Sequence, residues 1–208
     1  MKTKTKRVIE LSNKQKEFLE LLNHFDLVYL TGSAGSGKTY AACSAALEHL
    51  ESGAVDRIII TRPIVATEDI GYLPGTLEEK VDPYIDPLYE TFSQVYDFKQ
   101  IRMMMEDGII EVSPIAYMRG RTFNDAFIIL DEAQNTTREQ IKMFLTRFGH
   151  NIKCCITGDL TQSDLIENNG LDWSLNRLKA SPLISHVEFF DEDVVRSKLV
   201  KEIIKYLK

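Results

Sequence analysis

Short apolar runs recur along the chain, separated by stretches whose hydrophobic residues follow helical spacing. The runs fall at 27–30, 57–61, 109–112, 126–131, 153–157 and 186–190, and most are continuous in Ile, Val, Leu or Phe rather than alternating. Such runs predict strands buried on both faces. Helices are predicted over 14–23, 40–51, 137–148, 172–179 and 193–207. The third of these is the most sharply patterned: Ile141, Phe144, Leu145 and Phe148 share one face, and Gly149 reads as its terminator. Strands alternating with helices imply right-handed crossovers and an α/β fold, a mostly parallel sheet with helices on both faces. The segment 71–108, with Pro74, Pro83 and Pro87, departs from the pattern. It predicts a loop followed by helices broken near the prolines, and an insertion of that length points to function.

Composition narrows the class. The 208 residues, 44% hydrophobic, suit a single domain over 1–208 with a basic arm over 1–10. No repeat, low-complexity tract or linker divides it. No apolar stretch is long enough to span a bilayer, and the first residues lack the apolar segment of a signal peptide. Cysteines number three, Cys43, Cys154 and Cys155, two of them adjacent, which argues for reduced thiols in a cytoplasmic chain. The four histidines show no metal-ligand spacing, so no zinc site is expected. A net charge of −6 counts against an indiscriminate wrap around nucleic acid. Basic residues nonetheless gather at both ends. Lys2, Lys4, Lys6 and Arg7 form the arm, and Lys198, Lys201, Lys205 and Lys208 line one face of the last predicted helix. A solvated helix face and a weak phosphate-backbone contact are both open readings of that face.

The most informative chemistry follows the first strand. Gly32-Ser33-Ala34-Gly35-Ser36-Gly37-Lys38-Thr39 is a complete G-x-x-x-x-G-K-T loop between an apolar run and an Ala-rich helix beginning near Tyr40. Its glycines permit positive φ and close backbone approach, and the exposed N–H groups form an anion nest at a helix N-terminus. Lys38 can reach β- and γ-phosphates, and the Thr39 hydroxyl can hold a bridging Mg²⁺. The strand at 126–131 ends in Asp131-Glu132. Asp131 is expected beside Mg²⁺, and Glu132 at the water attacking the γ-phosphate. After the next strand, Gly158-Asp159-Leu160-Thr161-Gln162 supplies an amide, Gln162, able to touch both water and γ-phosphate, while Asp159 could instead cap its turn. Ser12 and Gln15 fit a capping box, and Gln15 could equally read an adenine edge with Phe18 or Tyr40 as apolar cover. Arg62, Arg119, Arg121, Arg177 and Arg196 are candidates to meet charge on the γ-phosphoryl group.

In this order the residues resemble RecA-like P-loop ATPases of the superfamily-1 helicase type, and more specifically the PhoH-like ATPases of bacteria and their phages. The resemblance rests on Thr61-Arg62-Pro63-Ile64-Val65, Leu73-Pro74-Gly75, Glu79-Lys80-Val81-Asp82-Pro83-Tyr84, Pro87-Leu88-Tyr89, Asp131-Glu132-Ala133-Gln134-Asn135, the Gly158–Gln162 element and Val194-Val195-Arg196. Tyr72, Ile70 and Ser197 are small departures from it. It implies ATP and Mg²⁺ as ligands, Gln15 as adenine reader and Arg196 as γ-phosphate arginine. It further implies an RNA-linked role with Arg62, Arg119 and Arg121 lining a nucleic-acid face, and assembly as a ring, hexameric in form.

An ATPase acting on or stimulated by RNA or another single strand is therefore the first expectation. A P-loop kinase and a nucleotide-dependent scaffold ring with little turnover are the alternatives. A GTPase is disfavoured, since no N-K-x-D element follows the loop.

Overall fold

The computed structural model describes residues 12–63, 89, 91–93, 96–162 and 169–190. Within them one all-parallel sheet runs in the order β3-β2-β4-β5-β1-β6. The strands are β1 (Leu27–Gly32), β2 (Arg57–Arg62), β3 (Ile110–Pro114), β4 (Ala126–Leu130), β5 (Ile152–Gly158) and β6 (Ile184–Phe189). The helices are α1 (Asn13–Leu22), α2 (Lys38–Glu51), α3 (Phe98–Glu106), α4 (Arg138–Leu145) and α5 (Gly170–Leu178). All six apolar runs are strands, shifted by a residue or two at their ends.

Two apolar layers sandwich the sheet because successive strand residues point to opposite faces. Val28, Leu30, Ile58, Ile60, Phe127, Ile129 and Cys155 pack on one side with Phe18 and Leu22 of α1, the alanines of α2 and Ile101 of α3. Leu27, Tyr29, Ile59, Ile128, Leu130, Cys154 and Ile156 pack on the other with Ile141 and Phe144 of α4 and Leu171 and Leu175 of α5. The neighbouring cysteines thus lie in different layers. All three thiols are free and buried, and burial pushes each pKa up, so they stay protonated and inert.

The ends of helices follow local chemistry. Capping boxes close α1 (Ser12 with Gln15), α3 (Asp97 with Gln100) and α4 (Thr137 with Gln140). One expectation is corrected: α4 stops at Leu145, and Gly149 does not end it. Gly149 instead packs where an added Cβ would lie 1.9 Å from Asn124 Oδ1 and 2.8 Å from the Phe123 carbonyl, while its N–H donates to that carbonyl. Close approach, not helix termination, requires glycine there. The predicted helix over 193–207 and most of the Pro-rich segment lie outside the described residues.

Candidate nucleotide site

The carboxyl ends of β1, β4 and β5 carry the predicted chemistry to one edge of the sheet, where open α/β folds bind ligands. At the end of β1, Gly32 has φ +143°, and a Cβ there would come within 2.2 Å of the Phe189 carbonyl on β6. Gly35 (φ 78°) and Gly37 (φ 86°) complete the turn. Gly37 is the N-cap of α2 and offers no side-chain acceptor, and no acidic residue sits in the first turn. The first turn of α2 therefore turns its positive dipole end to the loop, a favourable place for an anion.

Lys38, only 8% exposed, folds over this loop. Its ammonium donates to the Gly32 carbonyl (2.7 Å), the Ser33 carbonyl (2.8 Å) and Ser36 Oγ (3.2 Å). Ser36 in turn donates to the Ser33 carbonyl at 2.8 Å. Ala34 and Gly35 are exposed at the tip and Tyr40 is half-buried. Gln15 sits against the loop, its Nε2 3.1 Å from where a Gly37 Cβ would stand. Its Oε1 meanwhile accepts from the Ser12 N–H at 2.9 Å, so the structural role is formed and the amide nitrogen still faces the loop. Phe18 is fully buried in the α1 core, which removes it as an adenine cover.

The loop and the acidic strand end meet where Thr39 Oγ1 donates to Asp131 Oδ1 at 3.0 Å. Asp131 is 1% exposed, and every described partner is a donor. Thr157 at the end of β5 donates to Oδ1, and the Arg62 Nε (2.9 Å) and Nη2 donate to Oδ2. A buried carboxylate beside a hydroxyl suits Mg²⁺, a hard cation held by one or two carboxylates together with substrate phosphates. No cluster of three or more metal-ligating side chains occurs among the described residues, so such an ion would need the nucleotide's oxygens as well. Thr39 and Asp131 fit it.

Glu132 stands at the mouth, exposed, with φ 54°. Its Oε2 accepts from Gln134 Nε2 at 2.6 Å, and Gln134 Oε1 accepts from the Asp159 N–H at 3.1 Å. Asp159 does cap its turn: Oδ1 accepts from the Thr161 N–H (2.8 Å) and hydroxyl (2.6 Å). Gln162, exposed, follows that turn.

The arginines divide. Arg62 is turned inward on Asp131. Arg121 is clamped on Glu111, with Nη2 to Oε2 at 2.7 Å, and lies over Phe123 at 4.9 Å, and its side chain remains partly exposed. The Glu111 hydrogen bonds push its pKa up further. Arg119 is exposed beside exposed Tyr117, and Arg177 stacks on Trp173 at 5.0 Å. Arg196 lies outside the described residues. Thr157 and Gln134 join the site without a role legible in the sequence. Gln134 lies in the Asp131–Asn135 motif and Thr157 just before Gly158, but the Thr157–Asp131 and Gln134–Asp159 contacts depend on strand order.

A family model described as PhoH-like protein matches residues 7–208. The chain belongs to the PhoH family. A PhoH-like protein of Bacillus subtilis (strain 168) is 49% identical over 194 residues, covering 92% of this chain and 61% of its own. Protein PhoH of Escherichia coli (strain K12) is 42% identical over 200 residues, covering 94% and 56% respectively. The chain thus spans little more than half the length of these PhoH relatives. Among solved structures, the Sulfolobus solfataricus SWI2/SNF2 ATPase core in complex with dsDNA matches with a TM-score of 0.51 at 14% identity, over 90% of this chain and 46% of that one. At that identity the likeness speaks to fold alone, an α/β core built on a parallel sheet like that of RecA-like proteins. Family and fold together support reading this PhoH chain as a P-loop NTPase. None of its described helices is long and apolar enough to cross a membrane.

Proposed function

We propose that this chain binds ATP with Mg²⁺ and hydrolyses it, as the motor core of an ATPase stimulated by single-stranded nucleic acid, RNA in the first instance. The observation that carries the proposal is the Thr39–Asp131 hydrogen bond, which joins the phosphate loop and the acidic strand end into one candidate site. In it Lys38 and the α2 N-terminus hold the phosphates, Gly32 to Thr39 supply the cradle, and Gln15 and Tyr40 flank the base. Thr39 and Asp131 would hold Mg²⁺, which would supply positive charge against the phosphate oxygens. Glu132 orients and deprotonates the attacking water, and Gln162 reports the γ-phosphate.

Exposed Arg119, two residues after exposed Tyr117, is a nucleic-acid contact. Arg196 of one copy is assigned to the γ-phosphate of the next, through a repeated heterologous contact that closes a ring, hexameric by family resemblance. The described residues hold one lobe, and a lone lobe leaves the γ-phosphate open to water, which weakens electrostatic stabilisation. A cytoplasmic setting accords with the free thiols.

The test is phosphate release from Mg²⁺-ATP with and without single-stranded RNA. Glu132→Gln should lower turnover by about 10²–10⁴-fold while ATP still binds, and Lys38→Ala should lose ATP binding. Arg196→Ala should bind ATP without turnover. Wild-type turnover in Glu132→Gln would sink the assignment of the base. Transfer of phosphate to an added acceptor would favour a kinase, and ATP-dependent assembly without consumption would favour a scaffold ring.

A further inference from the structure

Gln134 is nine-tenths buried, carries no role in the reading above, and stands between two elements of the proposed site. Its amide is used at both ends. The NH₂ group donates to the Glu132 carboxylate at 2.6 Å, and the carbonyl accepts from the Asp159 backbone N–H at 3.1 Å. Only one orientation of the amide satisfies both partners. Flipped, it would set oxygen against carboxylate and NH₂ against N–H.

The sequence makes room for this contact. Gly158 ends β5 directly under Gln134, and a Cβ there would stand 2.8 Å from Gln134 Oε1 and 3.3 Å from its backbone nitrogen. The partner that needs holding is unusual. Glu132 has positive φ, is exposed, and opens the short 3₁₀ turn Ala133–Asn135, so little else packs on its side chain. On the far side, Asp159 fastens Thr161 through two hydrogen bonds, immediately before Gln162. An amide strut therefore joins the carboxylate to the loop that carries Gln162.

We propose that Gln134 is a positioning residue: it fixes the Glu132 carboxylate and couples it to the turn after β5, so that displacement of that turn by a bound nucleotide is felt at Glu132. The proposal rests on Glu132 being the base. Gln134 does not touch nucleotide in it and acts only through its two partners.

The experiment is a double-mutant cycle on the full chain, reading kcat for Mg²⁺-ATP hydrolysis, ADP affinity and melting temperature. Gln134→Met removes both hydrogen bonds at similar length. Gln134→Glu keeps an acceptor for Asp159 but sets a like charge against Glu132, and preserves size if the first variant folds poorly. Each single variant should lose about a hundredfold in kcat, the cost of misplacing a reacting group by about 1 Å, with ADP affinity within about threefold of wild type. In a Glu132→Gln background the same changes should lower kcat no further, because residues acting as a unit are non-additive. Additive losses, a parallel fall in ADP affinity, or wild-type kcat in the Gln134 variants while Glu132→Gln is inactive would overturn the positioning role alone. Normal turnover in Glu132→Gln itself would overturn the base assignment and the strut with it.

Discussion

Asp131 shows how one buried charge is made tolerable. Its carboxylate is almost wholly removed from water and is met by two threonine hydroxyls and a guanidinium donating twice to one oxygen. Burying an ion without such partners costs several kcal/mol. Arg62→Ala should therefore destabilise the fold by about 3 kcal/mol, the lower end expected for breaking a buried pair. Chemical denaturation reads it directly. Mg²⁺ with ADP should recover much of the loss in that variant, since the divalent cation supplies the missing positive charge. An unchanged denaturation midpoint would show that the hydroxyls alone suffice. The same pairing turns Arg62 inward. Its register at the end of β2 beside β4 puts it next to Asp131, and nothing local reveals that neighbour.

Strands were legible as apolar runs because both sheet faces are covered, so no polar alternation dilutes the signal. The phosphate loop was legible because its residues are contiguous. The contacts of Thr157 and Arg62 with Asp131, and of Gln134 with Asp159, were not, since they arise only once β2, β4 and β5 lie side by side. Gly149 was misassigned for a related reason: its constraint comes from Phe123 and Asn124, some twenty-five residues away in sequence. Glycines at two strand ends give an element-scale prediction. Gly32→Ala would push a methyl into the backbone carbonyl of Phe189 at an unfavourable φ, which no rotamer relieves. It should cost about 3 kcal/mol and loosen β6 from β1, seen as faster amide exchange along Ile184–Phe189. Gly158→Ala meets the flexible tip of Leu171 as well as Gln134 Oε1, so it should melt closer to wild type yet impair turnover. Equal destabilisation of the two variants would contradict this contrast. Tyr29 links layer to sheet by donating to buried Ser174 at 3.1 Å, and burial holds its phenol protonated by pushing the pKa up.

At the scale of the molecule, the proposed ring makes activity a collective property. Turnover per chain should rise with protein concentration and then level off, because the γ-phosphate arginine comes from a neighbour. A flat profile from dilute to concentrated protein would place every group needed for hydrolysis within one chain. Adding Arg196→Ala chains to wild type should then poison activity more steeply than dilution does. The two cysteines of β5 offer a different view of the whole. Adjacent in sequence, they look into separate layers, one beneath α4 and α5, the other beneath α1 and α2. A thiol-alkylating reagent applied at rising denaturant, with the modified positions mapped by mass spectrometry, would therefore time the peeling of each side independently, a two-sided clock carried by neighbouring residues.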